Sequence, residues 1–184
     1  MKNVVAITGA SGSVYGIRLL EKLPGETALV ISDTAKKIIP AETGMSVEEV
    51  EALAHTVYDD SDMFAPIASG SFSYDCLFIA PCSESTVGRI AGGIADTLIS
   101  RAAAVRLKER KNMVLVVRET PKSRIMLENE LKLAESGAVI LDANPGFYSK
   151  PKTVDDIIDF VAGKAMDSAG IENSLYRRWT GSFQ

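Results

Sequence analysis

Apolar residues in this chain fall in short continuous runs, separated by stretches in which they recur every three or four positions. The runs "NVVAIT" (3–8), "TALVIS" (27–32), "CLFIAP" (76–81), "MVLVVR" (113–118) and "AVILDA" (138–143) read as buried strands. Between the first two, 12–23 reads as a helix with Val14, Ile17, Leu20 and Leu23 near one face, stopped by Pro24-Gly25. Helical periodicity follows at 34–42 and 46–55, the latter opened by the capping pattern Ser46-x-x-Glu49. It returns at 84–93, 96–109, 122–136 and 153–168. Strands apolar on both faces, alternating with amphipathic helices, predict an α/β fold: one doubly wound, mostly parallel sheet with helices on both sides. No repeat or second core interrupts the pattern, so 1–184 reads as a single domain. One stretch breaks the alternation, "YDDSDMFAPIASGSFSYD" (58–75), and a loop of that length is expected to be functional.

Composition narrows the chemistry. With 184 residues and 46% apolar content, the chain can bury a core without metal or disulfide staples. A net charge of −4 gives no reason to expect nucleic acid. No apolar run is long enough to span a bilayer and "MKNVVAITG" enters a strand directly, so the expected location is the cytoplasm, with no membrane partner. Two cysteines (Cys76, Cys82) and one histidine (His55) are too few for a structural zinc site or a disulfide framework. A hydrolytic triad would have to use His55, which falls in the helical pattern 46–55 and reads as a packing or helix-surface residue. No metal is expected.

Ligands of such sheets collect at the carboxyl ends of the strands. The sequence places Thr8-Gly9-Ala10-Ser11-Gly12, Ser32-Asp33-Thr34 and Pro81-Cys82-Ser83-Glu84-Ser85-Thr86 there, followed by Arg118-Glu119-Thr120-Pro121 and Asn144-Pro145-Gly146-Phe147-Tyr148. Hydroxyls and backbone amides dominate the first three loops. In "ITGASGSVYG" the glycines at 9, 12 and 16 miss the dinucleotide pattern G-x-G-x-x-G, and Tyr15 breaks its reductase variant. Tyr148 and Lys152 match a reductase spacing, but Pro151 forbids the shared helix face that pair needs. Asp33 alone keeps an NAD-type ribose contact open. A short Gly/Ser loop before a helix fits a mononucleotide, and FMN with its phosphate at the helix N-terminus is the natural candidate. Eight basic residues against two acids between 101 and 124 suggest a second anion. Arg106, Arg110 and Lys111 read as a solvated helix face; Arg118, ending a buried strand, is expected to meet an anion.

Several blocks in order along the chain carry a family resemblance. "TGASGSVYGIRLL", "ISDTAKK", "APIASGSF", "APCSESTVGRIAGGIADTLISRAA", "LKERKNMVLVVRETP", "LENELKLAESGAVIL", "PGFY" and the terminal "RRW" resemble the flavin prenyltransferases, accessory enzymes of ubiquinone-pathway and aromatic-acid decarboxylases. The resemblance implies a Rossmann-like flavoprotein that joins the dimethylallyl group of dimethylallyl monophosphate to N5 and C6 of reduced FMN. The prenylated FMN passes to a partner decarboxylase. No metal is implied, and a homo-oligomer, a dodecamer with sites at subunit contacts, is. FMN contacts are implied for Gly9, Ala10, Ser11, Ser32, Ser83, Ser85, Thr86, Arg101 and Arg118. The substrate phosphate falls to Lys108, Arg118, Tyr148 and Lys164; Glu119, Glu42 and Ser11 stand at the reacting centre, and Trp179 is a lid within a tail (about 170–184) over the site or a neighbouring subunit.

The chemistry agrees with those residue types. Fixed cations and a tyrosine hydroxyl stabilise a leaving phosphate without a metal. A positioned carboxylate, Glu119, can take the proton lost at flavin N5. Trp179 and the 58–75 loop can keep water out. The chain departs from the family where Lys164 replaces a frequent arginine, exchanging a fork for a point charge. Ala104, in "RAAAV", stands where "AADV" is common, and that position is expected to be structural. Glu84 falls near the flavin phosphate, its side chain expected to point away. Two other readings stay open: an FMN-dependent cysteine decarboxylase, which would want an active-site histidine and a Pro-x-Met-Asn segment, and a flavodoxin-like electron carrier, which would not need Lys108, Arg118 and Tyr148 for a second anion.

Overall fold

Among the described residues six strands, all paired in parallel, form one sheet in the order β3-β2-β1-β4-β5-β6. They are β1 (Lys2–Ile7), β2 (Glu26–Ile31), β3 (Thr56–Asp59), β4 (Cys76–Cys82), β5 (Met113–Val117) and β6 (Val139–Asp142). The computed structural model describes residues 1–181; the last part of the expected cover, 182–184, lies outside the described residues.

Strand side chains alternate between two cores. Val4 and Ala6 of β1 face one, with helices α4 (Glu84–Ala91), α5 (Leu98–Lys108) and α6 (Arg124–Glu135). Val5 and Ile7 face the other, with α1 (Ser13–Lys22), α2 (Asp33–Thr43), α3 (Val47–Glu51) and α7 (Val154–Ser168). Each fully buried aliphatic or aromatic side chain contributes about 1.5–3 kcal/mol relative to exposure. Truncating central Phe78 to alanine is worth about 3–5 kcal/mol. Helix α1 comes close to β4 because residue 16 is glycine: a Cβ there would stand 2.2 Å from the Ala80 carbonyl oxygen.

The sheet has one strand more than the pattern announces. β3 is an edge strand with three of its four residues exposed, so it carries no continuous apolar run and hides inside what reads as a helix followed by a loop. The helix expected at 46–55 ends at Glu51, although the capping box forms as anticipated: Ser46 Oγ accepts from the Glu49 amide at 3.1 Å, and Glu49 Oε2 accepts from the Ser46 amide at 2.7 Å. His55 therefore sits outside the helix, at the amino end of the sheet, its Nδ1 accepting from the Thr27 amide at 3.2 Å.

Arg106 overturns its expectation as a solvated residue. It is 2% exposed, and its guanidinium donates to the carbonyls of Asn112, Tyr74 and Asp75 at 3.0, 2.9 and 2.7 Å. The ring of Tyr74 lies 4.4 Å beneath it. A helix-face charge is thus spent on the strand entries of β4 and β5, where carbonyls would otherwise be left without donors.

Candidate active site

The chain leaves β1 towards one face of the sheet and leaves β4 towards the other, which opens a crevice at their carboxyl ends. Thr8 builds its floor. The Thr8 hydroxyl donates to the Pro81 carbonyl at 2.8 Å and accepts from the Ser83 amide at 2.9 Å, locking the ends of β1 and β4 together. Gly9 lies against Thr34, whose Cγ2 would be 2.6 Å from any Cβ placed there, so the first two loops touch. The resulting cleft has a volume of about 520 Å³ and is lined by Thr8, Gly9, Ser32, Ser83, Ser85 and Thr86, among others.

Helix termini decide which amides the cleft can offer. The amides of Gly12 and Ser13, at the start of α1, donate to Glu42 Oε2 at 2.9 and 3.2 Å. Burial opposes ionisation of Glu42, but hydrogen bonds from Ser11, Gly12 and Ser13 outweigh it and hold the carboxyl below its ordinary range. The anion at the N-terminus of α1 is therefore a carboxylate of the chain itself, not the phosphate that the glycine loop suggests. Asp60 does the same for α5, accepting from the Ile99 amide at 2.9 Å; burial pushes its carboxyl above the usual range. Helices α2 and α4 differ. Ser32 and Ser83 cap them by accepting from the Ala35 and Thr86 amides at 3.3 Å each. Their first amides, those of Asp33, Thr34, Glu84 and Ser85, make no hydrogen bond among the described residues. Helix α5 is hydroxyl-capped too, by Thr97, but Asp60 has taken its Ile99 amide, so two helix starts with open first amides face the cleft, a setting suited to a phosphate monoester.

Glu119 stands at the far side of this cleft and also lines a second hollow of about 350 Å³, with Arg118, Lys122 and Asn144. Its Oε1 accepts from the Thr120 amide at 3.1 Å. Arg118 is half-buried, not buried. Its Nε donates to the Ser11 carbonyl at 3.1 Å, bridging the rim, while no carboxylate among the described residues pairs with its charge. Tyr15 lies beside it, its phenol raised by burial and partly lowered again by the Arg118 charge. Behind Glu119, Lys122 pairs with buried Glu130 at 2.9 Å and with Asp142. Tyr148 holds the β6 side of the rim between two edge-on rings, Phe160 at 5.7 Å and Trp179 at 6.0 Å. The tail delivers Trp179 there: Ile171 is buried in the core, Tyr176 packs on Phe160 at 4.8 Å, and Arg178 Nη2 binds Asp167 at 2.7 Å.

Other expected residues sit elsewhere. Ala10 is buried in the first loop, while Arg101 turns away from the cleft, donating from Nε to the Ala68 carbonyl at 3.1 Å. Lys108 ends α5 at the opposite, amino end of the sheet, paired with Glu109 at 3.1 Å. Lys164 is exposed far along α7. Neither joins Arg118 and Tyr148 within one chain. Glu84 does not point clear of the cleft but lines it, exposed, with Ser123 Oγ donating to it at 3.4 Å. Sequence reading missed Asp60, Arg89, Thr97 and Ser100 in the lining. The Thr97-x-x-Ser100 capping pattern and the broken alternation around 58–75 were the available signals. Both thiols are buried and raised by burial, so neither is a nucleophile at neutral pH.

A family model described as Flavoprotein matches residues 1–166. The flavin prenyltransferase UbiX of Thermoplasma acidophilum is 50% identical over 180 residues, covering 97% of this chain and 100% of that protein. The chain belongs to the flavin prenyltransferase family. Two solved structures agree. AnUbiX (PadA1), described in complex with FMN and dimethylallyl pyrophosphate, superposes with a TM-score of 0.96 at 43% identity, over 98% of both chains. A dodecameric FMN-dependent UbiX-like decarboxylase from Escherichia coli O157:H7 gives 0.95 at 44% identity, over 98% of this chain and 100% of that one. Like other flavin prenyltransferases it is an enzyme, and no helix among the described residues is long and apolar enough to cross a membrane.

Proposed function

We propose that this flavin prenyltransferase transfers the dimethylallyl group of dimethylallyl monophosphate to reduced FMN. The N5 bond forms as the allylic C–O bond breaks and phosphate and the N5 proton leave; the C6 bond forms as the prenyl double bond takes up a proton and C6 gives one up. The observation that carries this reading is the cleft onto which the open first amides of α2 and α4 face, with Glu119 also lining it. The donors present fit FMN: Ser32, Ser83, Ser85 and Thr86 with the open α2 and α4 amides would hold its phosphate, and Gly9, Ala10 and Ser11 would line the ribityl and ring. Reduced FMN supplies the nucleophilic N5 and C6. Everything else falls to the protein.

Arg118 and Tyr148 hold the leaving phosphate, whose developing charge they stabilise as the allylic C–O bond breaks. Glu119 takes the proton released at N5, with the Glu42 carboxylate and the Ser11 hydroxyl beside it fixing the α1 side of the site. Trp179 on Tyr148 covers the centre and excludes water from the allylic cation. Arg101, Lys108 and Lys164 point away within one chain, so their part in binding is played at subunit contacts of a homo-oligomer, a dodecamer as in the E. coli relative. The tail at 170–181 and the single domain of 1–184 serve the same assembly, and the prenylated FMN goes to a partner decarboxylase in the cytoplasm.

The decisive experiment is anaerobic incubation of protein, reduced FMN and dimethylallyl monophosphate, followed by mass spectrometry of the extracted flavin. A flavin heavier by one dimethylallyl unit supports the reading. Recovery of unmodified FMN with a spectrum unchanged on reoxidation would assign the chain to electron transfer instead.

A further inference from the structure

The cleft that fits the flavin phosphate is poor in positive charge. Among the described residues lining it stand four acids, Asp33, Asp60, Glu84 and Glu119, against one cation, Arg89. Arg101 is turned onto the Ala68 carbonyl and Arg118 onto Ser11. A phosphate dianion brought among those carboxylates needs a counter-charge, and helix amides offset only part of it.

We infer that Arg89 is the phosphate-binding cation of this cleft and sets its preference for FMN over flavins lacking a terminal phosphate monoester. This rests on the reading that the cleft holds FMN. Arg89 lies four residues after Ser85 on α4, so both project from the same helix face. Side chains on a helix lean towards its N-terminus, so a guanidinium released from its partner has Ser85 and the open amides of Glu84 and Ser85 within reach one turn back. In the free chain Arg89 is paired with Asp96, on the loop that follows α4. That pair is exposed, 43% and 50% for the two side chains, and exposed pairs are exchanged at little cost. Asp96 acts as a placeholder: it keeps the guanidinium at the cleft mouth until a dianion with a better bidentate fit replaces it.

Fluorescence titration of the full-length protein with FMN and with riboflavin, in the same low-salt buffer, tests this. The two ligands share the ring and ribityl chain and differ only in phosphate. Arg89→Gln should weaken FMN binding about 10- to 100-fold, as expected for losing hydrogen bonds to a charged group, and leave riboflavin within twofold. Asp96→Asn should release Arg89 and tighten FMN a few-fold without moving riboflavin. Arg89→Lys, which keeps charge but loses the fork, should fall between wild type and Arg89→Gln. Equal losses for both ligands in Arg89→Gln, or an unchanged FMN affinity, would overturn the assignment, as would Arg101→Gln alone abolishing the preference for FMN. Wild-type protein that binds riboflavin as well as FMN would remove the phosphate from the cleft altogether, and the proposed FMN site with it.

Discussion

Arg118 and Glu119 adjoin in sequence but part in space: the guanidinium reaches across the rim to the Ser11 carbonyl at 3.1 Å, while Glu119 folds its carboxylate over the Thr120 amide at 3.1 Å and faces the cleft. No ion pair joins them among the described residues. Glu119 is therefore not held in place merely to neutralise the charge at the end of β5, and the two residues can be tested apart.

Replacing Glu119 with glutamine preserves shape and the hydrogen bond to Thr120. FMN binding and the melting temperature should stay near wild type while single-turnover prenylation falls by about two to four orders of magnitude, the worth of a general base. A near-normal rate would remove Glu119 from the mechanism. Arg118→Ala should weaken dimethylallyl monophosphate binding as well as rate, because its charge acts in the ground and transition states alike.

Glu42→Gln probes the carboxylate at the start of α1. The folded carboxyl lies below the ordinary value of 4.5, so its stabilising effect is fully present above that pH and is lost as pH falls through the folded value. The variant should melt about 1–3 °C lower than wild type at pH 7, and the difference should shrink as pH falls below 4.5. A gap that persists in acid would mean that shape, not charge, matters there.

Arg106→Leu leaves three carbonyls without their donor. A loss of about 3 kcal/mol is expected, lowering the melting temperature by about 6–12 °C, with FMN affinity of the folded fraction unchanged. A drop in FMN affinity at temperatures where the variant is folded would give Arg106 a role in the site that its position at the amino end of the sheet denies.

Chelation should not matter. No group of three or more acids, cysteines or histidines among the described residues could hold a metal ion, and His55 lies at the wrong end of the sheet. Prenylation rates with and without EDTA check this; loss restored by a divalent cation would be the contrary result.

Much of this protein was legible in its sequence because burial on both faces writes itself as continuous apolar runs. Among the described residues, five of the six strands, the seven α-helices and the rim loops all follow from that pattern, and the capping box follows from the Ser46 hydroxyl and the Glu49 carboxylate three positions on. The hydroxyl-rich loops at 8–12, 32–34 and 81–86 were legible as one cleft because a parallel sheet brings the ends of its strands together.

Only the tertiary structure decided the rest. Edge strand β3 is exposed, so it leaves no hydrophobic signature. The sequence reads Arg106 as a solvated helix-face charge and Arg118 as a strand-end charge; carbonyls distant in the chain make the first structural and set the second across a rim. Above all, Glu42 reaches the start of α1 from about 30 positions away and takes the amides that a glycine loop advertises for phosphate, while the first amides of α2 and α4 stay open. Local sequence states which backbone amides a helix start exposes. Which of them the protein's own carboxylates consume depends on contacts between segments remote in the chain, and those exist only once the sheet is assembled.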